Sequence, residues 1–134
     1  MKPKQKSLLV FGVATCLGAL IWLLSPFFTG EQEPWDAQSP YYVGAIVVAG
    51  FVPACLSFER FYWSPVGVWT GQMGAVLYLL SVSDGPSNGL FLVGFVFLCV
   101  YSLWALAGAA LGVAVHLGLR RLWRHLPRSH TKTS

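Results

Sequence analysis

Four long apolar stretches, separated by three short polar segments, set the pattern of this 134-residue chain. The apolar runs cover about residues 7–28, 41–58, 65–82 and 89–119. About 20 apolar residues in a helix cross a bilayer core of roughly 30 Å, and each run is near or above that length. The pattern predicts an all-α integral membrane protein, a single domain of four transmembrane helices in an up-down bundle. The fourth run has 31 residues, roughly 46 Å as one helix, so it must tilt, bend or project. Arg120, Arg121, Arg124 and His125 then alternate with Leu122, Trp123 and Leu126, which predicts a basic amphipathic end lying at the interface. Pro127 should end that helix, and residues 128–134 read as a disordered tail.

Local signals place the helix boundaries. Ser39-Pro40 and Ser64-Pro65 each read as an N-cap followed by proline at the first helical position. Pro53 predicts a kink in the second helix, because an interior proline removes one helical hydrogen bond. Residues 84–88 (D-G-P-S-N) form a turn cluster. The basic start, M-K-P-K-Q-K, followed by an apolar run resembles a signal peptide. That run is too long, however, and Ser25-Pro26-Phe27-Phe28 is a poor cleavage context, so it is expected to stay as the first span.

Composition agrees with the pattern. The chain is 55% hydrophobic and 10% charged, against about 25% charged in soluble domains. The net charge of +4 does not point to nucleic acid, since no reading element accompanies it. Its distribution suits an anionic inner membrane surface instead. With four spans, all nine Lys and Arg fall on one side: Lys2, Lys4 and Lys6, then Arg60, then Arg120, Arg121, Arg124, Arg128 and Lys132. Glu31, Glu33, Asp36 and Asp84 fall on the other. The positive-inside rule then places both termini in the cytoplasm. The overall style is similar to that of small four-helix inner-membrane proteins of bacteria, a similarity of composition that carries no residues over. Cys16, Cys55 and Cys99 lie in three different apolar runs and read as packing residues.

Candidate chemistry concentrates between Phe58 and Gly74. Glu59-Arg60 is an acid–base pair at a membrane boundary, either a polar gate or headgroup contact or simply an interfacial pair. Phe58, Phe61, Tyr62 and Trp63 suit an aromatic belt, whereas Trp69 lies a turn inside the third span and is placed to face a partner helix. Gly67, Gly71 and Gly74 share one flank of that helix, and Gly108 and Gly112 repeat the spacing on the fourth. Small residues at i and i+4 let membrane helices approach closely, so these five glycines are the expected packing positions. Gln72, beside Thr70, is the most polar side chain well inside a span. It needs a partner there, either a neighbouring helix or a solute.

His116 follows Gly112 by one turn, and a small residue beneath a histidine makes room for a flat macrocycle. No second histidine lies within the membrane to complete a bis-His haem. Arg120, Arg121 and Arg124 are expected at lipid headgroups. No ionisable group of the kind that ion-coupled transporters use occupies the middle of a span. No metal spacing, nucleophile set, phosphate loop or paired carboxylates is present. These features predict no enzyme, no resident cofactor and no metal. They predict a structural or accessory subunit that packs against other membrane proteins or against itself. The alternatives are a small oligomeric transporter or channel and, behind it, pigment or haem binding through His116.

Overall fold

The computed structural model describes residues 2–30, 40–82 and 91–125. These are all-helical: α1 (Pro3–Thr29), α2 (Tyr41–Leu56), a 3₁₀ turn (Phe58–Arg60), α3 (Trp63–Val82) and α4 (Phe91–His125). Three of the four, α1, α3 and the Gly94–Arg124 part of α4, are long and apolar enough to cross a membrane. The fourth, α2, is equally apolar but has 16 residues, about 24 Å of helix. The acidic first loop, the turn cluster at 84–88, Pro127 and the tail lie outside the described residues.

Most of these boundaries have a local cause, and several differ from the sequence expectation. α1 opens inside the basic segment because Pro3 takes the first helical position, with Gln5 Oε1 accepting from the Lys2 backbone N–H at 3.0 Å. It closes at Gly30, whose φ of 78° is the left-handed cap geometry that glycine adopts without a Cβ penalty. α2 begins at Tyr41 as expected, but with Pro40 rather than Ser39 at the cap. It ends at Leu56 because Ser57 turns extended (φ −151°, ψ 89°), and Phe58 therefore belongs to the 3₁₀ turn. α2 continues as helix through Pro53, which is buried. α3 begins at Trp63, so Ser64 is a helical residue and not the expected N-cap. Its backbone N–H bonds the Phe61 carbonyl at 2.9 Å, and its buried hydroxyl has no partner among the described residues. Pro65 is tolerated there because first-turn N–H groups have no intrahelical acceptor in any case.

The tightest packing joins alternate helices. The most extensive contacts are α1 with α3 and α2 with α4; consecutive helices touch less. Gly67 sits so close to α1 that a Cβ would come 2.6 Å from the Ala14 Cβ and 2.7 Å from the Phe11 carbonyl oxygen. One turn on, Gly71 lies directly against the Thr15 carbonyl, and from the other side Gly18 lies against the Val68 carbonyl. The contacts advance together along both helices, so α1 and α3 run parallel. The α2–α4 seam repeats the arrangement. Gly108 abuts the Val47 carbonyl, Gly112 lies over Phe51 and Ala54, and Gly50 abuts the Ala105 carbonyl. Each seam therefore meets a small-xxx-small pair on both sides: Ala14/Gly18 with Gly67/Gly71, and Gly50/Ala54 with Gly108/Gly112. Van der Waals contact between backbones is the attraction available to helices in lipid.

Gly74, expected to share this role, does not. A Cβ there would meet nothing within 4 Å; seven residues from Gly67, it lies on nearly the same flank of α3, but no neighbouring helix comes close to it and it is exposed. The cysteines depart from expectation as well. Cys16 and Cys99 are exposed on the outer surface, and only Cys55 is part-buried. The basic ends meet at one end of the bundle, where Lys6 of α1 pairs with Glu59 of the turn at 3.2 Å. There too Arg120 of α4 lies 4.9 Å from the centre of the Phe58 ring. α4 runs on past this end as helix, with Leu117 to Arg124 exposed.

The seams give a direct contrast. Gly71→Ala and Gly108→Ala should each destabilise the fold by about 1–3 kcal/mol, because a methyl group must push two backbones apart. Gly74→Ala should change stability by no more than about 0.5 kcal/mol. Reversible unfolding of the three variants in mixed detergent micelles measures the difference.

Candidate functional site

The middle of the bundle holds one polar node, built from a side chain of each helix. Gln72 of α3 has no accessible surface. Its Oε1 accepts hydrogen bonds from the Tyr42 hydroxyl of α2 at 2.6 Å and from Trp22 Nε1 of α1 at 3.3 Å. Its Nε2 donates to Ser102 Oγ of α4 at 3.2 Å. Trp22, Tyr42 and Ser102 are also buried, each with 5% or less of its surface accessible. An amide offers two acceptor lone pairs and two N–H donors, and three of these four sites are filled within the bundle.

The helices place these groups by simple register. Gln72 follows Gly71, and both are buried, so the seam glycine brings the amide into the bundle interior. Trp22 lies one turn beyond Gly18 along α1. Tyr42 enters from the first turn of α2 and stacks obliquely on Tyr101, with ring centres 5.0 Å apart. Around the node pack Ile21, Ile46, Ala49, Val68, Ala75, Leu98 and Ala105, an apolar shell that excludes competing water. Interhelical hydrogen bonds of this kind contribute roughly 0.6–2 kcal/mol each.

The other sequence candidates separate from Gln72. Thr70 donates back to the Val66 carbonyl of its own helix at 2.8 Å and does not join the node. Trp69 packs edge-on against Phe95, centres 5.8 Å apart, and its buried Nε1 has no partner among the described residues. It faces a partner helix, α4. Glu59 and Arg60, adjacent in sequence, do not pair with each other. Glu59 binds Lys6, and Arg60 donates to the Tyr62 hydroxyl at 2.6 Å. The Lys6–Glu59 pair is substantially exposed, which limits its contribution to about 0–1 kcal/mol.

His116 belongs to a second cluster, where the end of α2 meets α4. Its Nδ1 lies 3.2 Å from the Cys55 carbonyl. A carbonyl only accepts, so Nδ1 carries the proton. The Cys55 thiol reaches the Gly112 carbonyl at 3.8 Å. The Phe58 ring lies 4.8 Å from the imidazole centre. The room beside Gly112 that a flat macrocycle would need is taken by α2, through Phe51 and Ala54. Beyond this contact His116, Leu119, Arg120, Trp123 and Arg124 line an open groove of ≈ 540 Å³. Arg121 is not part of that lining.

Three of the four node residues escaped the sequence reading. Trp22 and Tyr42 resemble ordinary interfacial aromatics near helix ends, and Ser102 is one of several small polar residues in α4. One available signal was that an amide within an apolar run demands hydrogen-bonding partners on other helices. Another was the small-xxx-small spacing of Ala14/Gly18 and Gly50/Ala54, which marks the faces opposing the GxxxG pairs.

These features define a small, all-helical bundle with helices suited to crossing a membrane, consistent with an integral membrane protein. The chain matches no protein family, no curated protein and no solved structure.

Removing the amide tests the node. Gln72→Leu leaves the Tyr42, Trp22 and Ser102 groups without their shared partner and should cost about 1–3 kcal/mol. Tyr42→Phe, which removes one donor, should cost roughly 0.6 kcal/mol. In a double-mutant cycle the two losses should be strongly non-additive, read by unfolding in mixed micelles.

Proposed function

We propose that this chain is a polytopic membrane protein that serves as a structural or accessory subunit of a larger membrane complex. In this reading all four helices cross the bilayer, α2 being completed by the 3₁₀ turn and its aromatic neighbours at the interface. Both termini face the cytoplasm, in the inner membrane of a bacterium. The basic clustering of the Lys2–Lys6 segment, Arg60 and Arg120–Arg124 at one bundle end supports that orientation through the positive-inside rule.

The observation that carries the proposal is the sealed interior. The central amide is held by all four helices, and both GxxxG pairs are occupied within the chain. The polar and small-residue features that would otherwise serve a solute or a flexible gate are thus committed to holding one rigid body. What remains outside is apolar and aromatic, including Phe27, Phe28, Val96, Leu103 and Trp104, the surface that other membrane helices and lipid cover. A transport path through Thr70 and Gln72 has less support, since Gln72 has no accessible surface and Thr70 is bonded to its own helix.

Extraction of the full chain in mild detergent should recover a partner at fixed stoichiometry, and deletion of the chain should lower that partner's level in the membrane. A monomer free of partners, with the membrane proteome unchanged on deletion, would overturn the reading.

A further inference from the structure

We propose that the groove at the end of α4 binds the headgroup of an anionic glycerophospholipid, with one acyl chain lying along the exposed ridge above it. His116, Arg120 and Arg124 recur every four residues, so they stack on one face of α4, and all three line the groove with Leu119 and Trp123. Arg120 is fixed from behind by the Phe58 ring, which limits the entropy lost when its guanidinium takes a ligand. Among the described residues the only carboxylate is Glu59, and Lys6 already holds it. No acid there neutralises Arg120 or Arg124. Guanidinium groups recognise phosphate oxygens through paired, charge-assisted hydrogen bonds, so the groove's charge and donor set fit a phosphodiester.

The neighbouring ridge decides between a lipid and a free anion. Leu111, Val115 and Leu119 also repeat every four residues, and each has about half its surface exposed (56%, 45% and 52%). They form an apolar track that leads from the groove back along α4 toward the middle of the bundle. Trp123, 75% exposed, stands beside it, with the amphipathic ring that settles at headgroup level. A phosphate site joined to an apolar track matches an amphiphile, and inorganic phosphate would use only half of it. The inference rests on the membrane placement proposed above but not on the accessory role, so a failure to find protein partners leaves it standing.

The test is native mass spectrometry of the full chain in detergent, titrated with dioleoyl phosphatidylglycerol and with dioleoyl phosphatidylcholine. The anionic lipid should bind at least about tenfold more tightly, and Arg124→Gln should remove about that factor. Arg121→Gln makes the same charge change one residue from Arg120 but outside the groove, and should weaken binding by less than about twofold if nearby charge acts only through screened solvent. Arg124 is exposed and forms no hydrogen bond or ion pair among the described residues, so its replacement should leave the fold intact, which unfolding in the same detergent verifies. Equal losses from the Arg121 and Arg124 variants would reduce the site to diffuse surface charge and overturn the proposal. Equal affinity for the two lipids, or full displacement of the lipid by excess inorganic phosphate, would overturn it as well.

Discussion

A primary amide placed among hydrocarbon cannot be left alone. Burying a polar group without a hydrogen bond costs several kcal/mol, and Gln72 is wholly buried. The structure meets that demand by calling on every helix: Trp22, Tyr42 and Ser102 converge on the two ends of one side chain. Helices in lipid lack the hydrophobic drive that gathers soluble helices. A node that requires all four at once therefore supplies specificity that apolar packing alone does not. It fixes rotation and depth, because a helix turned by one residue would take its hydrogen-bonding group out of reach.

The node also explains the unusual partnering of the helices. The hydrogen bonds of Gln72 reach their partners because backbones approach closely, and they do so along two glycine seams between alternate helices. Those seams join parallel neighbours, whereas short connections make consecutive helices antiparallel. Consecutive helices are linked covalently and by lesser contacts such as the Tyr41 hydroxyl on the Ile21 carbonyl, 3.1 Å. Alternate helices have no short link and rely on the seams. Each pair of helices is thus held by a different means, and the polar node ties the pairs together.

The start of α1 and the end of α4 come together with the 58–62 turn, through Lys6–Glu59 and Arg120–Phe58. This gathers the positive charge of the described residues at one end of the bundle. The same geometry leaves the α4 end projecting, and among the described residues no carboxylate pairs with its arginines. The rigid interior and the basic end are separate features. One is closed within the chain, and the other presents donors outward.

Much of this was determined by the sequence alone, because its signals are local or additive. Helix number, approximate helix bounds, the long α4 with its basic end, and the seam glycines Gly67, Gly71, Gly108 and Gly112 follow from hydropathy and from i, i+4 spacing. Gln72 stood out because an intramembrane amide is costly wherever it lies. Tertiary structure decided the rest. Gly74 lies on nearly the same flank of α3 as Gly67, yet no neighbouring helix comes close enough there to use it. Ser64 has the chemistry of a cap, but the helix starts before it. Glu59 sits beside Arg60 in the chain and pairs instead with Lys6, 53 residues away. The partners of Gln72 come from three other helices, and only the relative depth and rotation of those helices, set by contact between backbones, could show which side chains meet it.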